Sequence, residues 1–236
     1  NDRHPSLQKD VFLQLLRALL LHSTDPQEFD EHSRFRSNSS EIFISIYFTL
    51  QKQYFVEIEK QLKELFESIK TANDPDLVFV RIESCIFALS IIGQEVMDEA
   101  DESHIQQALN QHIKPICEAL CGSNLHKMQN INATSLHLLN QICHFFKRYS
   151  FYICKNAQLL HKCLLYNIEI PCKHQAIMVY ECAQTLNRLL YHSIPIWMEQ
   201  LNDFENVIVK FVIENIGDGQ QFYSQLSQTE KELLED

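Results

Sequence analysis

The amino-acid sequence predicts an all-α protein built as an α-α superhelix of antiparallel helix pairs. Apolar residues recur at helical spacing along nearly the whole chain, as Ile58, Leu62 and Leu65 illustrate, and no alternating pattern typical of strands competes with them. Turn-forming residues are scarce as well. The 236 residues include only 4 Gly and 6 Pro, against an average combined share of ~12 %, which leaves few of the turns that a β-sandwich or a βαβ protein needs.

The expected helices follow one another with short breaks. They span 6–22, 39–52, 54–70, 77–97, 103–120, 128–148, 151–168, 172–191 and 200–216, and a further helix begins at Ser227. The polar stretches Asp30–Ser37 and Gly217–Leu226 are the expected loops. Pro115 lies inside the fifth helix, where it lacks an N–H and clashes with the preceding turn, so it should kink or split that helix.

Capping residues support several of these helix starts. Asp25-Pro26 and Asp74-Pro75 each place an N-cap carboxylate before a Pro at the first helical position. Asn38 with Glu41 resembles a capping box, in which two side chains satisfy the free N–H groups of a helix start. We therefore expect helices to begin at these three places.

Consecutive helices form pairs of similar length. The pairs are 39–52 with 54–70, 77–97 with 103–120, 128–148 with 151–168, and 172–191 with 200–216. Each occupies roughly 40 to 50 residues, the unit length of HEAT-type repeats. The sequence thus predicts a single HEAT-repeat solenoid over 1–236 with about four to five helix pairs, while a four-helix bundle repeated twice is the alternative. Because the first residue is not Met, we expect a segment of a longer chain.

Composition narrows the classes of function. The chain carries 20 Lys and Arg against 31 Asp and Glu, a formal net charge of −11, which argues against direct nucleic-acid binding over a broad surface. No stretch is long and apolar enough for a membrane span. The 8 Cys lie within apolar helical runs and are expected to be reduced core thiols of a soluble, intracellular protein.

The sequence offers no strong sign of catalysis, of a cofactor or of a metal. Cys117 and Cys121, with His126 nearby, could hold zinc only if further ligands converge on them, and no Cys-x2-Cys pair is present. No nucleophile elbow and no Gly-rich phosphate loop occur. We therefore expect a protein that is not an enzyme, with a helical enzyme that uses a Cys nucleophile or a metal as a remote alternative.

Two sets of polar residues are candidates for binding a protein partner. The first lies on the polar face of the second helix of a pair and comprises Glu57, Lys60, Gln61 and Glu64. The second is an acidic cluster that could attract basic segments of a partner and comprises Asp98, Glu99, Asp101 and Glu102. Either set could instead face water, and carboxylates at helix ends are common for that reason alone.

Aromatic residues near helix ends are candidate anchors of such a surface. They are Tyr149, Trp197, Phe204 and Tyr223. Aromatic side chains dominate the energetics of many protein interfaces. The alternative is that they pack between repeats.

One helical segment resembles the importin-β superfamily of nuclear transport receptors. In Phe79–Val96 an acid and a small residue precede an apolar and an aromatic residue, and an apolar pair then leads to Gly93. The family often has Trp before the acid, where this chain has Phe79. Arg34-Phe35-Arg36 with the helix after it, and Asn132–Tyr149, resemble repeat segments of the branch that contains transportin-SR and importin-thirteen.

The resemblance implies a central segment of a longer, superhelical karyopherin. Such a receptor binds protein cargo, here expected to be basic, and its cargo loading is governed by the GTP form of the GTPase Ran. It also contacts nucleoporins and shuttles between nucleus and cytoplasm. The alternative is another HEAT-repeat interaction scaffold, such as a regulatory subunit of a phosphatase or kinase.

Overall fold

The computed structural model describes residues 5–22, 29–69, 71–125, 132–170 and 176–197, and all regular structure among them is helical. The helices are α1 (Pro5–His22), α2 (Phe29–Leu50), α3 (Lys52–Ser68), α4 (Pro75–Asp98), α5 (Ser103–Ala108), α6 (Lys114–Gly122), α7 (Ala133–Arg148), α8 (Ser150–Cys154), α9 (Ala157–Glu169) and α10 (Ala176–Trp197). A π-helical turn, Leu109–Ile113, joins α5 to α6. The all-α prediction is confirmed.

The helices are arranged in two layers of antiparallel pairs. In the first layer α2 packs on α4, α4 packs extensively on α7, and α7 packs on α10. In the second layer α3 contacts the π-helical turn, and α6 contacts α9. Contacts between α3 and α4, and between α10 and α9, join the layers, while α1 covers α2 and α4. Each pair thus contacts its neighbours along the stack, as in a helical solenoid. The predicted partner of α10, at 200–216, lies outside the described residues.

Side-chain caps define several helix starts. The Asp74 side chain accepts a hydrogen bond from the Asp76 N–H at 3.0 Å, with Pro75 at the first position of α4, so this predicted start is confirmed. Asn132 forms a capping box with Ser135 at the start of α7, each side chain accepting from the other residue's N–H at 2.9 Å. The predicted start at Asp25-Pro26 lies outside the described residues.

The predicted capping box at Asn38 and Glu41 is wrong, because both residues lie inside α2, which begins at Phe29. The predicted loop Asp30–Ser37 is helical for the same reason. Hydroxyl side chains in this stretch bond back to the preceding turn: Ser40 Oγ donates to the Arg36 carbonyl at 2.8 Å. The many polar residues of this stretch led to the prediction of a loop, although the stretch is part of a helix.

Two predicted helices differ from the expectation. The helix expected over 103–120 remains helical through Pro115, but a π-helical turn replaces its α-helical hydrogen bonding just before this residue, where Pro cannot donate to the carbonyl of Gln111. A single helix over 151–168 is wrong, because α8 ends at Cys154 and α9 starts anew. The Asn156 side chain caps that start by accepting from the Leu159 N–H at 3.0 Å.

The core is centred on α4. Tyr54 and Tyr149, both completely buried, approach α4 from α3 and from the end of α7. Their hydroxyls donate to the carbonyls of Ala88 and Leu89, at 2.9 and 3.0 Å, which satisfies both buried hydroxyls. Gly93 permits the close approach of α7, because a Cβ there would lie 2.9 Å from the Cβ of Arg148.

Candidate functional site

Part of the polar face of α3 forms hydrogen bonds within the protein and is not free to bind a partner. Glu57 is only 9 % exposed, and its carboxylate accepts hydrogen bonds from Arg17 Nε and Nη2 at 2.7 and 2.8 Å. Gln61 Nε2 donates to the same carboxylate at 3.1 Å. The Arg17 hydrogen bond is the main reason why the pKa of Glu57 is lowered, against the opposing effect of burial. This pair joins α1 to α3.

Lys60 and Glu64 are the members of this set that remain exposed to solvent. They lie on the same face of α3 as Glu57 and Gln61, as the helical spacing predicts. A partner would therefore meet Lys60 and Glu64 first. Their role in binding stays a prediction.

The four acidic residues of the second set lie together around the connection from α4 to α5. Asp98 ends α4 and accepts from Gln94 Nε2 at 2.7 Å. Glu102 precedes α5 and lies 3.2 Å from His104 Nδ1. Asp101 is exposed, whereas Glu99 is partly buried. The connection therefore carries a compact, negatively charged rim.

The acidic rim affects the pKa of Tyr47, a buried residue of α2. Burial is the main cause that raises the pKa of Tyr47 to about 12, and the carboxylates of Glu99, Glu95 and Glu102 add to the effect. The rim carboxylates are thus close enough to Tyr47 of α2 to affect its pKa. Binding of a basic partner to this rim stays a prediction.

A buried ion pair that the sequence did not reveal joins three helices. The guanidinium of Arg36 donates to both carboxylate oxygens of Glu83, and the two residues are 8 % and 2 % exposed. His137 Nε2 lies 3.3 Å from Glu83 Oε1, and the Arg36 guanidinium lies 4.4 Å from the centroid of Phe87. The cluster joins α2, α4 and α7. In sequence these residues are up to 101 positions apart, so only the fold brings them together.

A second polar cluster joins α3 to the π-helical turn. His112 Nδ1 lies 2.6 Å from Glu59 Oε2, and Lys63 Nζ lies 2.7 Å from Glu59 Oε1. Phe55 stacks on the His112 ring with 6.0 Å between centroids. Burial opposes the charged form of Glu59, but the bonds to His112 and Lys63 outweigh it and lower the pKa of this carboxyl.

The cysteines form contacts between successive helix pairs. The sulfurs of Cys121 and Cys163 are 3.9 Å apart, and those of Cys143 and Cys182 are 3.8 Å apart. Burial raises the pKa of Cys163, and the neighbouring thiols of Cys117 and Cys121 raise it further. Cys163 is therefore held as a thiol rather than as a reactive thiolate.

The residues considered for a metal site are only partly described. Cys117 and Cys121 lie on α6, whereas His126 lies outside the described residues. Within the described part of the chain, no group of three or more potential ligands is placed to hold a metal ion.

Tyr149 is not a surface anchor. It is completely buried between α4 and α7 because its ring fills the space beside Gly93, so its packing interpretation is correct and the anchor interpretation is wrong. The side chain of Trp197, and Phe204 and Tyr223 as a whole, lie outside the described residues.

A groove lies between α7 and α10, and Gln94 of α4 also lines it. Its volume is about 520 Å³, and its walls carry Lys147, Arg148 and Arg188. Lys147 contacts the carboxylate of Glu181 and lies 3.3 Å from Gln184 Oε1. The groove is therefore a positively charged site on a protein that is acidic as a whole.

A histidine on α7 also lines this groove. Burial is the main cause that lowers the pKa of His144, and the positive charge of Lys147 lowers it further. The ring is thus neutral at neutral pH. The lasting positive charge of the groove comes from its Lys and Arg side chains.

Comparison with known proteins leaves the family open: the chain matches no protein-family model, no curated protein and no solved structure. Among the helices within the described ranges, none has the length and apolar character needed to cross a membrane.

Proposed function

We propose that this chain is a segment of a nuclear transport receptor, a non-enzymatic scaffold whose loading with protein cargo is governed by Ran-GTP. The observation that carries the proposal is the two-layer stack of helix pairs, in which α2, α4, α7 and α10 lie side by side. Such stacks present one long, continuous surface built from equivalent helices. The segment Phe79–Val96, which resembles the importin-β superfamily, forms most of α4 at the centre of this stack.

Recognition would be distributed over many weak contacts. Lys60 and Glu64 on α3, with the exposed carboxylates Asp98 and Asp101 after α4, are available to a folded or basic partner. The net charge of −11 favours attraction of basic cargo over a distance. Charged groups of this kind speed association and select partners more than they add affinity.

Response to Ran would come from changes in curvature. Each helix pair packs mainly on its neighbours, so small shifts between pairs add up along a solenoid. Under this proposal Ran-GTP and cargo favour different curvatures of the full receptor. Nucleoporins are the expected further partners, and shuttling between nucleus and cytoplasm is the expected behaviour.

A general interaction scaffold, such as a regulatory subunit of a phosphatase or kinase, is the second candidate. The two-layer stack suits it equally, because nothing in this arrangement is specific to transport. An enzyme that uses a Cys nucleophile is the remote alternative, and two of the buried thiols do not favour it. Burial raises the pKa of Cys85 and that of Cys154 to about 12, so neither is a ready nucleophile at neutral pH.

Capture of partners in the presence and absence of Ran-GTP tests the proposal. The full-length protein would be used to capture proteins from nuclear and cytosolic extracts, with Ran locked in its GTP form added to half of the samples. We expect some partners to be released or recruited by Ran-GTP. A partner set indifferent to Ran-GTP would contradict the transport proposal and leave the general scaffold.

A charge variant tests the acidic rim in the same assay. Asp98→Asn with Asp101→Asn removes two exposed charges from the rim, and Glu41→Gln with Glu67→Gln removes two exposed charges elsewhere. We expect only the first pair to weaken capture of basic partners. Equal loss in both variants would mean that net charge, and not the rim, attracts the partner.

A further inference from the structure

We propose that the groove between α7 and α10 binds an acidic, carboxylate-rich segment of a protein partner. This inference does not depend on nuclear transport, since it rests on the charge and shape of the groove alone. It differs from the proposed binding of basic cargo, which involves the acidic rim at the connection from α4 to α5.

The positive charge of the groove is available to a ligand. Arg148 and Arg188 are both exposed and line the groove, and neither forms an ion pair with any residue that the structure describes. Lys147 is already neutralised by Glu181. The groove therefore offers two uncompensated guanidinium groups, and guanidinium groups bind carboxylates through two parallel hydrogen bonds.

The charge of the groove is not explained by helix ends. Arg148 lies in the last turn of α7, where a cation is favoured by the helix dipole. Arg188, however, lies in the middle of α10, far from either end. Among the described residues no ion pair holds Arg188, and it lines the same groove as Arg148, so a ligand with a carboxylate can contact both guanidinium groups.

The shape and remaining lining suit an extended peptide segment. A volume of about 520 Å³ accommodates a few side chains, and it falls within the ~300–1,000 Å³ typical of binding clefts. The Asn187 amide can both donate and accept hydrogen bonds, as a peptide backbone requires. Gln94 Nε2 already donates to Asp98 and Gln184 Oε1 accepts from Lys147, so Gln94 adds an acceptor oxygen to the groove and Gln184 adds donor N–H groups. Tyr191, which is 72 % exposed, also lines the groove and offers an aromatic ring for a ligand to contact.

A peptide fits these observations better than a nucleic acid. A nucleic acid needs positive charge along an extended surface, whereas the positive charge that lines this groove is confined to Lys147, Arg148 and Arg188. Glu181 also lies against Lys147 at the groove. A short acidic segment needs only the two guanidinium groups and the neighbouring amides.

Fluorescence anisotropy with a labelled peptide of alternating Glu, Asp and Gly residues tests the proposal on the full chain. The matched probes are the same peptide with Gln and Asn in place of the acids, and a single-stranded RNA of similar length. We expect binding of the acidic peptide that weakens as salt is added, with no binding of the neutral peptide.

Two sets of variants locate the site. Arg188→Glu, and Arg148→Gln with Arg188→Gln, should each weaken binding of the acidic peptide at least ~10-fold, because they remove the guanidinium pair. The control, Lys9→Gln with Lys52→Gln, removes two exposed charges from α1 and α3 and should leave affinity within about twofold. Circular dichroism checks that each variant is folded, and Arg188→Glu, at an exposed helical position, keeps the test usable if Arg148→Gln disturbs packing.

Four outcomes would overturn the inference. They are equal binding of the acidic and neutral peptides, tighter binding of the RNA than of the acidic peptide, equal loss of affinity in the control and groove variants, and failure to bind any of the probes. None of these results would bear on Ran-dependent capture, so the two proposals can fail separately.

Discussion

Charged side chains join the helices of the N-terminal part, whereas thiols join many of those in the C-terminal part. In the first region Arg17 pairs with Glu57 and Arg36 with Glu83. In the second, Cys143 meets Cys182 across α7 and α10, and Cys154 Sγ donates to the Leu189 carbonyl at 3.0 Å. Charge pairs also occur in the second region, where Lys162 with Glu118 lies near the solvent and Lys147 with Glu181 is partly buried, but none there is as buried as Arg36 with Glu83.

The difference shows two ways of fixing neighbouring helices. A buried ion pair is directional, and removing one partner leaves a charge without compensation in the interior. A buried thiol behaves as a small apolar group with a weak hydrogen bond, so its loss leaves a small cavity. We therefore expect substitutions in the first region to cost more stability than those in the second.

The largest effect is expected from Glu83→Gln. It leaves the buried Arg36 guanidinium without its carboxylate, which should cost about 3–5 kcal/mol of unfolding free energy. Urea denaturation followed by circular dichroism measures this loss. Replacement of both partners, by Arg36→Met with Glu83→Leu, should restore much of the stability. A cost below ~1 kcal/mol for Glu83→Gln would contradict the importance of this pair.

The next effect concerns the packing of α4 against α7, at the boundary between the two regions. Gly93→Val places atoms where the Cβ of Arg148 already lies, and overpacking of this kind should cost about 1–3 kcal/mol. Gly122→Ala is the matched control, because a Cβ there meets nothing within 4 Å. It should be neutral or stabilising by up to ~1 kcal/mol. Equal stability of the two variants would show that α7 can move away from α4 at little cost.

A smaller effect is expected from Cys182→Ala, which removes the sulfur that contacts Cys143. The resulting cavity should cost about 1–2 kcal/mol in the same urea experiment. Cys121→Ala, at a partly exposed position, is the control and should cost less. If Cys182→Ala destabilised the protein as much as Glu83→Gln, the contrast between the two regions would be lost.

The smallest effect is a dependence of stability on pH in the first region. The pKa of Glu57 is lowered in the folded state, so its contribution is fully present above the pKa of the unfolded chain. That contribution is lost as the pH falls below about 5 and passes through the folded pKa. The urea midpoint of the Glu57→Gln variant should therefore fall less at low pH than that of the unsubstituted protein. Glu67→Gln, which changes an exposed residue of the same helix, should leave this pH dependence unchanged. If the Glu57→Gln variant lost as much stability at low pH as the unsubstituted protein does, other carboxyls would be responsible for the loss.

Local sequence rules account for much of the fold. Helical periodicity identified most of the described helices, Asp74-Pro75 marked a true helix start, and Pro115 marked the place where α-helical geometry gives way to a π-helical turn. These features depend on neighbours in the sequence, where capping and the missing N–H of Pro act. The rules failed at Asn38, because the inward packing of α2 outweighed its local capping tendency.

The candidate site was less predictable because it depends on distant residues. Glu57 was correctly placed on a polar face, but its partner Arg17 is 40 positions away. The groove had one visible signal, the basic run Lys147-Arg148, which the helix dipole explains equally well. Arg188 completes the groove only when α10 packs on α7, and a single Arg on a long helix gives no sign of this.

Hydrogen exchange followed by mass spectrometry tests the contrast between the two regions most directly. In a solenoid, stability is approximately a sum of local terms, so a lost contact should loosen its own helices most. We predict that Glu83→Gln speeds amide exchange in α2 and α4 and leaves α10 nearly unchanged, whereas Cys182→Ala speeds exchange in α7 and α10. The same pattern of faster exchange across all helices in both variants would contradict this account.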